Sequence, residues 1–194
     1  MIKAVFVDYM GTTVDERSPE MAEIVRRICK HSSVPDPKQV QRFIRDMETL
    51  IGLTDEPDTL RGLIRSHWVN APVFPYARAF FERCPVPIYI ITNNGTPYME
   101  QALERNGLRP AGVISADTVR AYKPHREIFD EALRLSGCTT DDAVHIGDSY
   151  DTDVMGARGA GIHPVLLHRG GAQVHEDVDT VDDLTQALKL LFNQ

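Results

Sequence analysis

The chain has 194 residues, enough for one ordinary domain or one domain with a sizeable insertion, and too short for two full domains at about 150 residues each. Hydrophobic residues make up 42% and charged residues 25%, close to the globular average, which excludes a disordered, collagenous or repeat chain. Twenty-eight acids against twenty-one bases leave a formal charge of −7, with Lys and Arg scattered, so the electrostatic footprint of a nucleic-acid binder is missing.

Residues 2–7 are short, β-branched and almost wholly apolar, ending at Asp8 and the turn-forming Gly11, the pattern of a strand buried on both faces. The same acid interrupts the apolar start too early for a leader peptide, and no later apolar run could span a bilayer. Cys29, Cys84 and Cys138 include no CxxC pair and are odd in number, which points to reduced thiols. A soluble cytoplasmic protein with no membrane or nucleic-acid partner is expected, and its oligomeric state is left open.

Beyond residue 13 the strand signals stop, and three helical stretches follow one another near 19–31, 37–52 and 57–69. In the middle stretch Val40, Phe43, Ile44, Met47, Leu50 and Ile51 recur at spacings of three and four, an apolar stripe packed on neighbouring helices. Residues 71–75 return the chain to the sheet. Apolar runs then recur at 86–91, 112–115, 143–146 and 163–167, most of them separated by helical periodicity. Pro97 and Gly107 bracket a helix over 98–106, and Pro124 opens one running to Ser136 before Gly137. Residues 176–183 read as an acidic loop before a last helix. Strands alternating with helices mean an α/β fold with a parallel sheet, interrupted by a helical insertion at 14–75 and otherwise built from 1–13 and 76–194.

Open parallel sheets bind ligands at the carboxyl ends of their strands, so the residues after each apolar run carry the chemistry. Asp8 to Thr13 follow the first run and Thr92-Asn93-Asn94 the second. Lys123-Pro124 precede a helix, and Gly147-Asp148 with Asp153 follow the fourth run. Asp8 and Asp148, converging from separate strands, repel each other unless a cation lies between them, and oxygen-only ligands point to magnesium and an oxyanion substrate. Backbone N–H groups of Gly11, Thr12 and Thr13 can aim at phosphoryl oxygens, with a hydroxyl from Thr92 and a charge from Lys123. Asp8 is the candidate nucleophile for an aspartyl-phosphate.

Asp8-x-x-Gly11-Thr12-Thr13, Thr92, Lys123-Pro124 and Gly147-Asp148-x4-Asp153 resemble, in order and spacing, motifs one to four of the haloacid dehalogenase-like hydrolase superfamily. The likeness covers nearly the whole chain, with 14–75 falling where that family inserts a helical cap. It implies a Rossmann-like core, Mg2+, and hydrolysis of a small phosphorylated or phosphonate metabolite. It also implies that Asp8 is nucleophile and metal ligand, joined by the Met10 backbone carbonyl and Asp148, with Asp153 behind them. Thr92 and the Asn93 amide would hold the phosphoryl group, and Lys123 would bind both it and Asp8.

Phosphatases of the family carry a second aspartate, the general acid and base, where this chain has Met10. A thioether can neither protonate a leaving alkoxide nor activate water, so ordinary phosphate monoesters should turn over slowly unless Asp15, Glu16 or His67 substitutes. Two family precedents lack that acid. Phosphonoacetaldehyde hydrolase resembles this chain over residues 11–15 but uses a cap lysine, for which 14–75 offers only Lys30 and Lys38. The 2-haloacid dehalogenases displace halide without metal and lack the acidic pair kept here as Asp148 and Asp153. A non-catalytic relative binding a phosphorylated ligand or partner protein is the competing class. Arg45, Arg61, Arg65, His67 and Trp68 are the insertion residues that could reach a substrate, while His31, His125, His145, His163 and His168 read as ordinary surface or core residues.

Overall fold

Ala4–Val7 (β1) has all four residues buried, because apolar layers cover it on both faces. The computed structural model describes residues 1–17, 57–169 and 175–193, together with Glu23 and Arg26. Five further strands join β1: Ile88–Thr92 (β2), Gly112–Ser115 (β3), Ala143–Gly147 (β4), His163–Leu167 (β5) and Asp179–Val181 (β6). Every pairing is parallel and the order is β3-β2-β1-β4-β5-β6. The chain moves outward from β1 in one direction, then returns to β4 on the other side, so the topological switch point lies between β1 and β4.

Helices cover both faces, giving the expected α/β architecture. Val5, Val7, Val144, Ile146, Val165 and Leu167 pack on one side with Ala77 and Phe80 of Pro75–Arg83 and with Leu184, Ala187 and Leu188 of Leu184–Phe192. Ala4, Phe6 and Ala143 face the other way, onto Ile128, Phe129 and Ala132 of Arg126–Ser136 and Ala157 of Met155–Gly159. This period-two alternation puts residue 8 on the same face as Ala4 and Phe6.

The chain departs from the sequence reading in several places, among them four that bear on the sheet and its cover. β2 starts at Ile88 rather than at 86, because Pro85 and Pro87 have no N–H to give a ladder. Arg126–Ser136 begins two residues after Pro124, with His125 at its cap. Pro75–Arg83 is a helix where only a return to the sheet was expected. The stretch at 176–183 contains β6, whose Asp179 and Thr180 are exposed and whose Val181 alone is buried.

Within residues 14–75, Pro57–Asn70 is helical and buries Leu60, Ile64 and His67, one stripe at helical spacing. It lies against Thr96–Asn106: Trp68 meets Tyr98 edge-on at 5.0 Å, and Arg65 donates to Gln101 at 3.1 Å. The stretches at 19–31 and 37–52, with the apolar stripe, Lys30, Lys38 and Arg45, fall outside the described residues apart from Glu23 and Arg26. Among the described residues no helix is long and apolar enough to cross a membrane.

Candidate active site

Parallel register puts Val7 between Ile90 and Ile146, and the Asp8 amide donates to the Ile146 carbonyl at 2.9 Å. Asp8 therefore follows β1 directly beside Gly147-Asp148, at the switch point. The backbone turns at once: the Thr13 and Val14 amides both donate to the Tyr9 carbonyl, and the Thr13 hydroxyl donates to the Asp8 carbonyl at 2.7 Å. Gly11 has φ +79°, and a Cβ there would strike the Asp148 carboxylate, so a glycine is required on both counts.

The turn narrows the expected phosphoryl cradle. The Gly11 N–H is taken by the Val14 carbonyl and that of Thr13 by Tyr9, so neither is available to a ligand. The Thr12 amide has no acceptor among the described residues although Thr12 is fully buried, a rare condition for a backbone donor. The Asn93 amide also has none among the described residues.

Lys123 arrives from the loop before Arg126–Ser136 and is 3% exposed. Its Nζ donates to Asp8 Oδ1 and to Asp153 Oδ1, each at 2.5 Å. The Asn93 side chain fixes the Lys123 backbone, accepting its N–H at 2.8 Å and donating to its carbonyl at 3.4 Å. Thr92 is buried and its hydroxyl oxygen accepts the Asn94 N–H at 3.2 Å, which leaves the hydroxyl proton to donate elsewhere.

Asp153 serves two structural purposes at once. Its Oδ2 accepts the Ser149 N–H at 3.1 Å while Ser149 Oγ accepts that of Thr152, a reciprocal cap on the turn Tyr150–Val154. Its Oδ1 faces Lys123 and accepts from His145 Nε2 at 2.9 Å. Gly147 makes room for this, since a Cβ there would collide with the Asp153 side chain. His145, read with the other histidines as an ordinary surface or core residue, is thus a partner of the site. It is wholly buried and edge-on to Phe129 at 5.1 Å, and its Nδ1 has no partner among the described residues. Burial holds its pKa below the ordinary histidine value despite Asp153, so the ring is neutral and gives its one proton through Nε2.

Asp148 accepts from Thr12 Oγ1 at 3.3 Å on Oδ1 and from Arg169 at 3.1 Å on Oδ2. Sequence reasoning did not single out Arg169. Position was the only available signal, since it lies just past the carboxyl end of β5.

The charges do not balance. Burial, with Asp153 and Asp148 nearby, outweighs Lys123 and pushes the Asp8 carboxyl up to about 7. Burial, Asp153 and Glu16 push Asp148 up to about 7 against Arg169. Burial opposes the charge on Asp153 as well, but Lys123 and His145 overcome it and hold that carboxyl well below the usual range. Burial likewise opposes the charge on Lys123, and Asp153 and Asp8 keep the ammonium above its usual value. Ligand oxygens of Asp8, Asp148 and Asp153 lie within 4.8 Å of one another. A crowded, oxygen-only acid set carrying more negative than positive charge fits a hard divalent cation.

Met10 packs against an apolar cluster that includes Tyr9, Val14, Ala71, Ile90 and Met99. Of the residues that could replace a missing acid, Asp15 pairs with Arg17 at the surface and His67 is buried within its helix. Glu16 is exposed at the edge of the site, its carboxyl held above the ordinary value by its less polar surroundings and by Asp8. Arg61 bonds Asp58 and Arg65 bonds Gln101, both on the surface.

The family model described as HAD-hydrolase-like matches residues 121–188, the segment carrying Lys123, Asp148, Asp153 and Arg169. The glyceraldehyde 3-phosphate phosphatase of Methanothermobacter thermautotrophicus is 31% identical over 87 residues, 41% of this chain and 38% of that protein. The match thus spans little more than a third of that relative. A HAD phosphatase structure from Thermococcus onnurineus superposes with a TM-score of 0.76 at 22% identity, covering 100% of this chain and 99% of that one. A 2-haloacid dehalogenase structure from Pseudomonas syringae pv. Tomato does so with a TM-score of 0.72 at 21% identity, with the same coverage. Residues 121–188 thus match a HAD-hydrolase-like family model, and the whole chain shares its fold with these two solved structures.

Proposed function

We propose that the chain is a magnesium-dependent phosphatase acting on a small phosphorylated or phosphonate metabolite through a phosphoryl group carried on Asp8, with residues 14–75 as a helical cap. The observation that carries this reading is the buried Asp8–Lys123–Asp153 array beside Asp148. Lys123 fixes Asp8 Oδ1, and Oδ2 has no hydrogen bond among the described residues. That oxygen attacks phosphorus as the bond from phosphorus to the ester oxygen breaks, and the departing alkoxide takes its proton from water. Water then attacks the phosphorus of the acyl phosphate, which releases phosphate and restores the carboxylate. The Thr12 and Asn93 amides, the Thr92 hydroxyl and Lys123 receive the phosphoryl oxygens.

Asp8, the Met10 carbonyl and Asp148 would hold magnesium, with Asp153 supporting them through Lys123. When bound, the ion would neutralise the carboxylates and the phosphoryl oxygens. With Met10 where the proton donor would stand, esters with basic leaving groups turn over slowly. Good leaving groups such as acyl phosphates are favoured.

Phosphate esters, acyl phosphates, phosphonoacetaldehyde and 2-haloacids, each assayed with and without magnesium, test the reading. Magnesium-dependent phosphate release is expected. Metal-free halide release would replace it with the dehalogenase chemistry, and a panel without turnover would favour a binding protein.

Metal affinity should depend on pH in a defined direction. Asp8 and Asp148 titrate near 7 without a cation, and a ligand carboxylate must be ionised. Magnesium affinity is expected to rise about tenfold or more per pH unit between 5 and 7, then level off above 8. Calorimetry in buffers of different ionisation enthalpy should show protons released at pH 6 and few at pH 8.5. Equal affinity at both would mean that the carboxylates are already ionised.

A further inference from the structure

We propose that Arg169 is a positioning residue that holds Asp148 in its metal-binding orientation, a role that rests on the reading of Asp148 as a ligand. Arg169 lies two residues beyond β5 and donates to Asp148 Oδ2 at 3.1 Å. Its guanidinium carbon sits 4.5 Å from the centre of the Phe74 ring. Phe74 in turn stacks on Tyr76, with ring centres 4.9 Å apart and planes 14° apart.

Both aromatics are tied to the turn after β1. The Tyr76 hydroxyl donates to the Thr12 carbonyl at 3.4 Å and the Phe74 amide to that of Thr13 at 3.1 Å. Thr12 closes the circuit by donating through Oγ1 to the other oxygen of Asp148. The carboxylate is therefore gripped on both oxygens by groups anchored to one another, and a planar, stacked guanidinium suits that task better than a flexible ammonium.

Two effects of Arg169 on a bound cation oppose each other. Its charge repels the ion, while its hydrogen bond fixes the ligand. The Arg169 and Asp148 side chains are 27% and 25% exposed, so water weakens the repulsion and the ion pair alike, whereas the orientation that the hydrogen bond imposes on the carboxylate does not depend on the strength of the charges. Orientation wins, as it does for hydrogen-bonded ligands of metal sites generally.

The test is calorimetric titration of the full chain with magnesium, which reads binding without turnover. Arg169→Met is expected to bind about 10- to 100-fold more weakly than wild type, at an unchanged melting temperature in EDTA. Arg169→Lys, which keeps the charge but not the fork or the ring stack, should lie between. Unchanged affinity overturns the proposal, and so does tighter binding, the result if the guanidinium merely competes with the ion. Should the Met variant fail to fold, Arg169→Gln decides by the same criterion. Wild-type protein that binds no magnesium overturns both this role and the metal reading, whereas binding that Arg169→Met leaves intact overturns this role alone.

Discussion

Asp8→Asn is expected to lower turnover by about four powers of ten or more while leaving the metal-free fold at least as stable as wild type at pH 8. An amide cannot attack phosphorus, so the loss in rate follows directly from the proposed chemistry. The gain in stability follows from burial. The folded-state pKa of Asp8 stands at about 7, above its unfolded value near 3.8, so the folded chain binds the extra proton between these limits. Stability contributed by this group is full below pH 4 and is lost as pH rises through 7. Asparagine removes that loss, and Lys123 keeps Asp153 as a partner. His145 acts the other way, since its lowered pKa makes the fold gain stability as pH rises toward 6.5 in both proteins, so it cancels in the comparison. Thermal unfolding in EDTA should show the variant ahead of wild type at pH 8 and the two closer at pH 5. A variant that melts lower at pH 8 would mean that attraction to Lys123 outweighs burial. One that retains turnover would remove Asp8 as the nucleophile.

The same energetics explain which parts of the site were readable from sequence. Asp8, Thr92 and Asp148 each follow a largely apolar run, and a parallel sheet brings the ends of such runs together whatever the intervening chain does. Lys123 and Asp153 were readable through spacing. Arg169 was not, because a lone arginine after β5 looks like surface charge until the strand order places β5 beside β4. His145 was read, like the other histidines, as an ordinary surface or core residue because it shows no metal-ligand spacing. It is buried on β4, and the Asp153 carboxylate lies over Gly147 within reach of its imidazole, which nothing local signals.

The elements that escaped prediction have equally local causes. β6 is a three-residue edge strand with one buried side chain, too short to display alternation, and its exposed acid is what an edge strand carries against unwanted pairing. Pro75–Arg83 begins at the second of two prolines in a run that reads as a loop, yet Ala77 and Phe80 of that helix fill one face of the sheet. In both places tertiary packing selected the structure.

Met10→Asp is the substitution from which a gain is expected, about two to four powers of ten in phosphate-ester turnover, the usual worth of general acid–base help. The position suits the task. Residue 10 borders the apolar cluster of Tyr9, Val14 and Ile90 and lies two residues from Asp8, so low local polarity and a neighbouring negative charge would both raise the new carboxyl's pKa. A raised pKa is what a group needs to give a proton to a departing alkoxide and take one back from water. The costs are the lost thioether packing and an acid placed against apolar neighbours, about 1–3 kcal/mol of stability. The gain should grow with the basicity of the leaving group, large for alkyl phosphates and small for acyl phosphates, which separates restored proton transfer from any general repair of the pocket. Rates for a series of esters graded by leaving-group pKa, measured in both proteins, check this. A uniform gain, or none, would put the limitation in a pocket shaped for a substrate whose leaving group never required a proton.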